Sequence, residues 1–358
     1  MNREHSRMDR RQLLKLLGLG AFGMGTLKVY GHVISPLLYE EQNPESAPLK
    51  KILDPSTVSV VRGNNCRDIT YQCLMKIEDE IMASLEGKKR ILVKPNFVST
   101  DVPLCATSVD SVRGILDFLK PRWNGPIVVG ESTASRDGTT AGFRNYGYLS
   151  LEKEFGIKLT DLNAGATVIR YAIGPGNAPL PVPIISTFFD RDQYLISAAK
   201  MKTHDRVLVT LSLKNILMGA PHNQYGVNNF KRNMHKAASR TRSKDTILHY
   251  NMFSLAQEIW PDLGVIDGFE AMEGNGPVGG TPVDMRISMA SLDPLALDTL
   301  ATRIMGFDPS QILYLSSMQM AGMGQGDPEK IRAIGPPLEN IQRNFRPSTG
   351  MMEPYGLG

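Results

Sequence analysis

Short β-rich runs alternate with helix-period segments along most of this chain, and that alternation admits few architectures. Residues 57–61 read as a strand and 67–85 as a helix, with Ile69, Cys73, Ile77, Ile81 and Leu85 at four-residue spacing. Strand patterns at 91–94, 127–130 and 158–161 are separated by helical patterns at 111–119 and 149–155. Further strands are expected at 194–199, 263–266 and 285–290, and helices at 294–305 and 309–320. Strands that alternate with helices predict an α/β fold, a mainly parallel doubly wound sheet with helices on both faces. Residues 168–189 break the rhythm. They carry Pro175, Pro179, Pro181 and Pro183, which predicts a Pro-rich hairpin excursion at a sheet edge.

The chain opens on Asp9-Arg10-Arg11-Gln12-Leu13-Leu14-Lys15 followed by an apolar stretch over 16–27. Paired arginines ahead of a short apolar run resemble the twin-arginine export consensus. The run is shorter than the ~20 residues a membrane span needs. Glycines at 18, 20, 23 and 25 speak against a stable cytosolic helix. The expected organisation is a signal segment at 1–36, a polar tether at 37–56, an α/β domain at 57–325 and a C-terminal extension at 326–358. The expected location is the periplasm or the outer face of the cytoplasmic membrane. No clear cleavage site follows, so an uncleaved signal leaves membrane association open. The twin-arginine export machinery is then one partner. A net charge of +4 does not suggest nucleic acid. Three cysteines and no C-x-x-C pair speak against an iron–sulfur cluster or a disulfide scaffold. They leave two readings, a Cys66–Cys73 disulfide or buried thiols.

In doubly wound sheets ligands sit at the carboxyl ends of strands, which selects four segments. Lys94-Pro95-Asn96 leaves a strand into a proline-fixed turn, so Lys94 and Asn96 read as ligand-binding residues or Lys94 as a snorkelling strand-end lysine. Glu131, after the third strand, reads equally as a metal ligand or base and as a helix cap. The densest segment is Lys200-Met201-Lys202-Thr203-His204 with Lys214-Asn215. Strand alternation puts Lys200 and Lys202 on one side. Neighbouring cations favour a neutral His204, fit to act as base or ligand. Lys202, His204 and Lys214 are the catalytic candidates, and Thr203 and Asn215 are binding candidates. A helix here would stack Thr210 and Lys214 on one face. Asp267, Glu270 and Glu273 in a glycine-rich run are candidate ligands of a divalent metal, or solvated acids of a turn. Asp293 reads best as a helix cap. Residues 206–244 hold eight Lys or Arg and no acid. Their dense end, 231–244, reads as a mobile solvated segment more than as a binding surface.

Lys94-Pro95-Asn96, Lys202-Thr203-His204, Leu213-Lys214-Asn215, the run from Asp267-Gly268 to Gly276-Pro277, and Ser291-Leu292-Asp293-Pro294-Leu295-Ala296-Leu297-Asp298 resemble, in order, the domain of unknown function 362 family. The resemblance spans about residues 57 to 325. Relatives often carry a twin-arginine signal or an appended ferredoxin segment, and this chain lacks the latter. A more distant similarity is to the nickel-dependent lactate racemase group. There a histidine precedes, by roughly three helical turns, a lysine that holds a nickel-pincer cofactor. His204 and Lys214 stand in that order ten residues apart, with His222 the weaker implied ligand. The expected function is an exported metal- or cofactor-dependent enzyme acting on a small anionic molecule. The alternative is a non-catalytic binding or assembly protein for an anionic ligand or metal.

Overall fold

The computed structural model describes residues 55–235 and 243–351, so the expected signal at 1–36 and the expected tether up to residue 54 lie outside the described residues. In chain order, β1 (Ser56–Arg62) leads to α1 (Cys66–Met75), α2 (Glu78–Ser84), β2 (Arg90–Lys94), α3 (Val109–Leu119) and β3 (Ile127–Glu131). Next come α4 (Thr139–Asn145), α5 (Ser150–Phe155), β4 (Lys158–Asp161), β5 (Thr167–Ile173) and β6 (Pro179–Ile185). Then follow β7 (Gln193–His204), β8 (Leu208–Thr210), α6 (Ser212–Leu217), β9 (Asn223–Gln224), β10 (Asn228–Asn229), α7 (Phe230–His235) and α8 (Ser243–Ala256). The described chain ends with β11 (Leu263–Asn275), β12 (Gly279–Ser291), α9 (Pro294–Ile304), α10 (Leu313–Met320) and β13 (Ile331–Ile334).

The main sheet runs β13-β1-β12-β11-β7-β2-β3-β4, with β8 paired to β7. Strands β11, β7, β2, β3 and β4 are mutually parallel, and β12 alone on this path opposes both neighbours. Helices bury both faces. Ile77, Ile115 and Phe118 pack on one side, and Leu213, Leu248, Leu297 and Tyr314 on the other. Strand β7 is buried at every position, so its sequence shows a continuous run instead of apolar–polar alternation. From β2 the chain winds outward to β3 and β4. Strand β7 then lies on the other side of β2 and leads to β11. The winding reverses between β2 and β7, and the crevice at the carboxyl ends of such strands is where open α/β sheets place ligands.

Several expectations are corrected. The helix expected over 67–85 breaks at Ile77, which leaves helical angles (φ −129°, ψ 30°). Glu78, Asp79 and Glu80 then occupy the first turn of α2, where the helix dipole favours acids. The five apolar residues of the expected face are all buried nevertheless. The proline-rich hairpin forms its own two-stranded sheet. Pro179, Pro181 and Pro183 alternate in step with Ile185, whose N–H points away from β5 to Ala220 O. Their missing N–H groups therefore cost no ladder bond. Strand β11 extends far beyond 266, so the glycine-rich run is strand with a bulge between Gly268 and Glu270. Of the segment expected as a C-terminal extension, residues 326–351 are described, and there β13 adds an edge strand while Ile341, Phe345 and Met351 enter the core. Among the described residues no helix is long and apolar enough to cross a membrane.

One buried network ties the strand ends together. Lys94 Nζ, at the end of β2, donates to Glu131 Oε2 at 2.9 Å at the end of β3, and to Asn215 Oδ1 at 3.1 Å on α6. Asn215 Nδ2 donates back to Lys94 O at 3.0 Å. A Cβ on Gly219 would stand 2.3 Å from Lys94 Cε and 2.5 Å from Asn215 O, so only glycine lets the chain pass. Lys94→Met leaves a buried carboxylate without its cation, and Glu131→Leu leaves the converse. Each is expected to cost about 3–5 kcal/mol of unfolding free energy, and the double variant less than the sum. Denaturant unfolding of the four proteins measures this, and additive losses would refute the pairing.

Candidate functional site

Lys214 and Asn215 lie on α6, a helix of six residues that is too short to stand without tertiary support. Asp298 of α9 supplies it. Its two carboxylate oxygens accept the N–H groups of Ser212 at 2.8 Å and Leu213 at 2.9 Å. Burial raises Asp298 to about 8 against these two donors. Asp293 is the expected cap of α9, accepting from Leu295 N–H and Ala296 N–H. Thr210 and Lys214 do not share a helix, because Thr210 ends β8 and Leu211 turns the chain before α6 starts.

Strand β7 delivers Lys200, Lys202 and His204 as alternate residues on one side. Lys202 is wholly buried and donates to Cys105 O at 2.6 Å. Its register partner across β8 is Thr210, whose buried hydroxyl has no hydrogen-bond partner among the described residues. Lys214 is 5% exposed and makes no hydrogen bond or salt bridge among the described residues. Burial, and next the Lys202 charge, lowers its amine to about 7, with Asp205 opposing. Burial takes Lys202 down to about 8. After burial itself, Lys214 is the charge that most depresses three imidazoles. His235 falls to about 3, His249 to about 4 and His204 well below its ordinary range. His204 is therefore neutral as expected, with burial the main cause and the cations second.

Backbone groups set the imidazole tautomers. Arg206 N–H donates to His204 Nδ1 at 3.0 Å, which leaves the proton on Nε2. The half-exposed Asp205 carboxylate stands 3.3 Å from the same Nδ1, but the amide is fixed and can only donate. His235 has the opposite arrangement. Its Nδ1 lies 2.7 Å from Lys231 O, a group that can only accept, so Nε2 keeps a lone pair. The two rings are 5.9 Å apart at their centroids.

The remaining residues fall elsewhere. Lys94, Asn96 and Asn215 belong to the closed network at the end of β2, where Asn96 Nδ2 donates to Asn215 Oδ1 at 2.9 Å. Thr203 points away from Lys202 and donates to Gly274 O at 2.9 Å. The four metal candidates do not meet. Glu131 is held by Lys94, and Glu273 by Arg346 Nε at 2.7 Å. Because 267–273 is strand, it spreads its carboxylates along the chain at ~3.3 Å per residue instead of gathering them. Among the described residues no group of three His, Cys, Asp or Glu is placed to hold a metal. His222, the ligand implied by the nickel enzymes, is engaged with Asn163 O at 2.7 Å. His204 and Lys214 are linked by a turn and a strand instead of helical turns. Lys231, expected in a solvated segment, is buried among Gly219 O, Pro221 O and Ser132 Oγ. Residues 236–242 of that segment lie outside the described residues.

Asp267 and Glu270 do share a feature, a cleft of about 580 Å³ beside the paired Lys200 and Asp267 positions of β7 and β11 that also includes Cys66, Ser108 and Asn145. That volume is ordinary for a small-molecule site. Asp267 accepts from Lys200 Nζ at 3.2 Å, Ser108 N–H at 2.8 Å and Phe269 N–H at 3.1 Å. The Cys66 thiol stands 4.0 Å from Asp267 Oδ1, and burial followed by the Asp267 charge pushes it up. All three cysteines are free and buried, which decides between the two readings. Cys73 turns its thiol to Ser59 and Ser288 under the sheet instead of to Cys66. The sequence reading gave His235 and His249 no individual site role and did not pair Lys200 with Asp267, because these contacts join elements distant in the chain.

Comparison with known proteins adds a family. A chain from Synechocystis sp., the thylakoid-associated protein sll1697, is 27% identical over 272 residues, which is 75% of this chain and 79% of that one. A crystal structure of a Thermotoga maritima protein shares 14% identity with a TM-score of 0.37. It covers 62% of this chain, and the chain spans about half (54%) of that structure's length. The family model described as Domain of unknown function (DUF362) matches residues 91–303, more than half of the sequence. With those residues carrying β2 through α9 and the whole Lys202–His204–Lys214 cluster, the chain belongs to the DUF362 family.

Proposed function

We propose that this chain is an enzyme acting on a small anionic molecule at the Lys202–His204–Lys214 cluster. The observation that supports this most is Lys214, an amine out of water with no hydrogen bond or salt bridge among the described residues. A fold gains nothing in stability from such a group, and desolvated lysines beside a second cation are a recurring form of activated nucleophile or base. Lys202 stays mostly protonated at neutral pH and attracts the anion. His204 presents an N–H donor to it. The sequence expectation of a divalent metal attaches best to Asp267 and Glu270 in the cleft. Asp267 is already satisfied by Lys200 and two backbone N–H groups, so these residues do not fit a cation cage and no step is assigned to a metal.

A second reading rests on the cleft. An open pocket with a paired Lys200 and Asp267 and no neutral base suits capture of an anionic ligand without turnover. Arg10 and Arg11 ahead of an apolar run support an exported location, and similarity to a thylakoid-associated protein supports a membrane-facing one. Replacing Arg10 and Arg11 by lysine is expected to leave the protein in the cytoplasm. Unchanged export on fractionation would sink the twin-arginine assignment.

A panel of small carboxylates and phosphates, followed by NMR for consumption, tests the enzyme reading. Turnover of one of them is expected, rising with pH through about 7 as Lys214 loses its proton. His204→Ala is expected to lose roughly 100-fold or more in rate while keeping fold and affinity. Binding by the wild type with no turnover of any compound would contradict the enzyme reading and favour capture.

A further inference from the structure

We propose that Lys214 forms an imine with a small oxo acid, with His235 shuttling the proton; this rests on the enzyme reading and names its substrate class. Three arrangements point there. The Lys214 amine is unpartnered among the described residues, and its charge acts on the His204 and His235 imidazoles. The tautomers of His204 and His235 are opposite, one presenting an N–H and the other a lone pair, on rings 5.9 Å apart. The orphaned Thr210 hydroxyl faces Lys202 across the β7–β8 pair, and Lys202 spends one donor on Cys105 O. The last two groups suit a carboxylate, and the first three suit a carbonyl next to it.

The step balances without an oxidant or reductant. The Lys214 nitrogen attacks the carbonyl carbon, and a C–N bond forms as the C=O π pair moves to oxygen. His204 Nε2–H hydrogen-bonds that oxygen. His235 Nε2 takes the ammonium proton and returns it to the oxygen, giving the carbinolamine. The C–O bond then breaks, and hydroxyl leaves with the second nitrogen proton, again carried by His235. Amine and carbonyl become imine and water. Lys202 and Asp205 are the charges that act on the amine, whose own charge acts on His204, His235 and His249, and Asp298 holds the start of its helix.

Borohydride trapping on the full chain tests this, with pyruvate and glyoxylate as oxo acids and acetaldehyde as an uncharged probe. One reduced adduct per chain is expected, mapped by peptide mass spectrometry to Lys214 and formed faster as pH rises through about 7. Lys214→Met and Lys214→Arg should abolish it. His235→Gln should slow trapping roughly 100-fold with an unchanged thermal midpoint. Thr210→Val should weaken trapping of pyruvate several-fold and leave acetaldehyde unaffected. Adducts confined to exposed lysines, or equal trapping in Lys214→Met, overturn the proposal. If a small anion is turned over with His204 dependence and no adduct forms, the imine fails and the enzyme reading stands. If neither turnover nor adduct is found, both fail.

Discussion

An ammonium taken out of water must find an anion, fill its donors with oxygens, or give up its proton. Five buried lysines in the described fold meet that constraint, and the way each does so divides framework from chemistry. Lys94 has Glu131, and Lys200 has Asp267. Lys231 is caged by two carbonyls and a hydroxyl. These three are answered, and they lock strand ends and loops in place. Lys202 has one carbonyl, and Lys214 has no such partner among the described residues. Lys202 lies on β7 beyond the end of its pairing with β2, and Lys214 on the short helix that follows β8.

The supports of Lys214 are structural and remote in sequence. Asp298 lies on α9, 84 residues after Lys214, yet its two hydrogen bonds fix the start of the helix that carries the amine. Asn215, the next residue, is bound into the Lys94–Glu131 network on the other side. The amine is thus held between two anchors while its own nitrogen makes no hydrogen bond among the described residues. A preorganised, dehydrated group of this kind needs no rearrangement to act.

Much of this was readable from residue patterns, and the failures have physical causes. Alternating strands and helices revealed the parallel sheet, because each β–α unit buries its own apolar face. Asp293 was recognisable as a cap, because capping is local. The long β11 was missed because glycines at 268 and 274 look like a loop when read alone, whereas pairing with β12 keeps both in the strand and leaves Gly276 to the turn that follows. The shared metal site followed from carboxylates near in sequence. A strand spreads such residues, and Asp267 pairs with Lys200 while Glu273 pairs with Arg346. His235 carried no signal of a site role, since its neighbour His204 comes from β7, although the carbonyl that sets its tautomer is that of Lys231 in its own helix. The neutral state of His204 was foreseen from its lysines, although dehydration proved the larger cause.

The account turns on one amine being neutral near physiological pH. NMR titration of the protein with ¹³Cε-labelled lysine reads that directly, comparing the wild type with Lys214→Met. One resonance should titrate near 7 and vanish in the variant. If every lysine that can be followed, Lys214 included, titrates at the ordinary ~10.4 of a free side chain, Lys214 is a solvated cation and the functional reading falls.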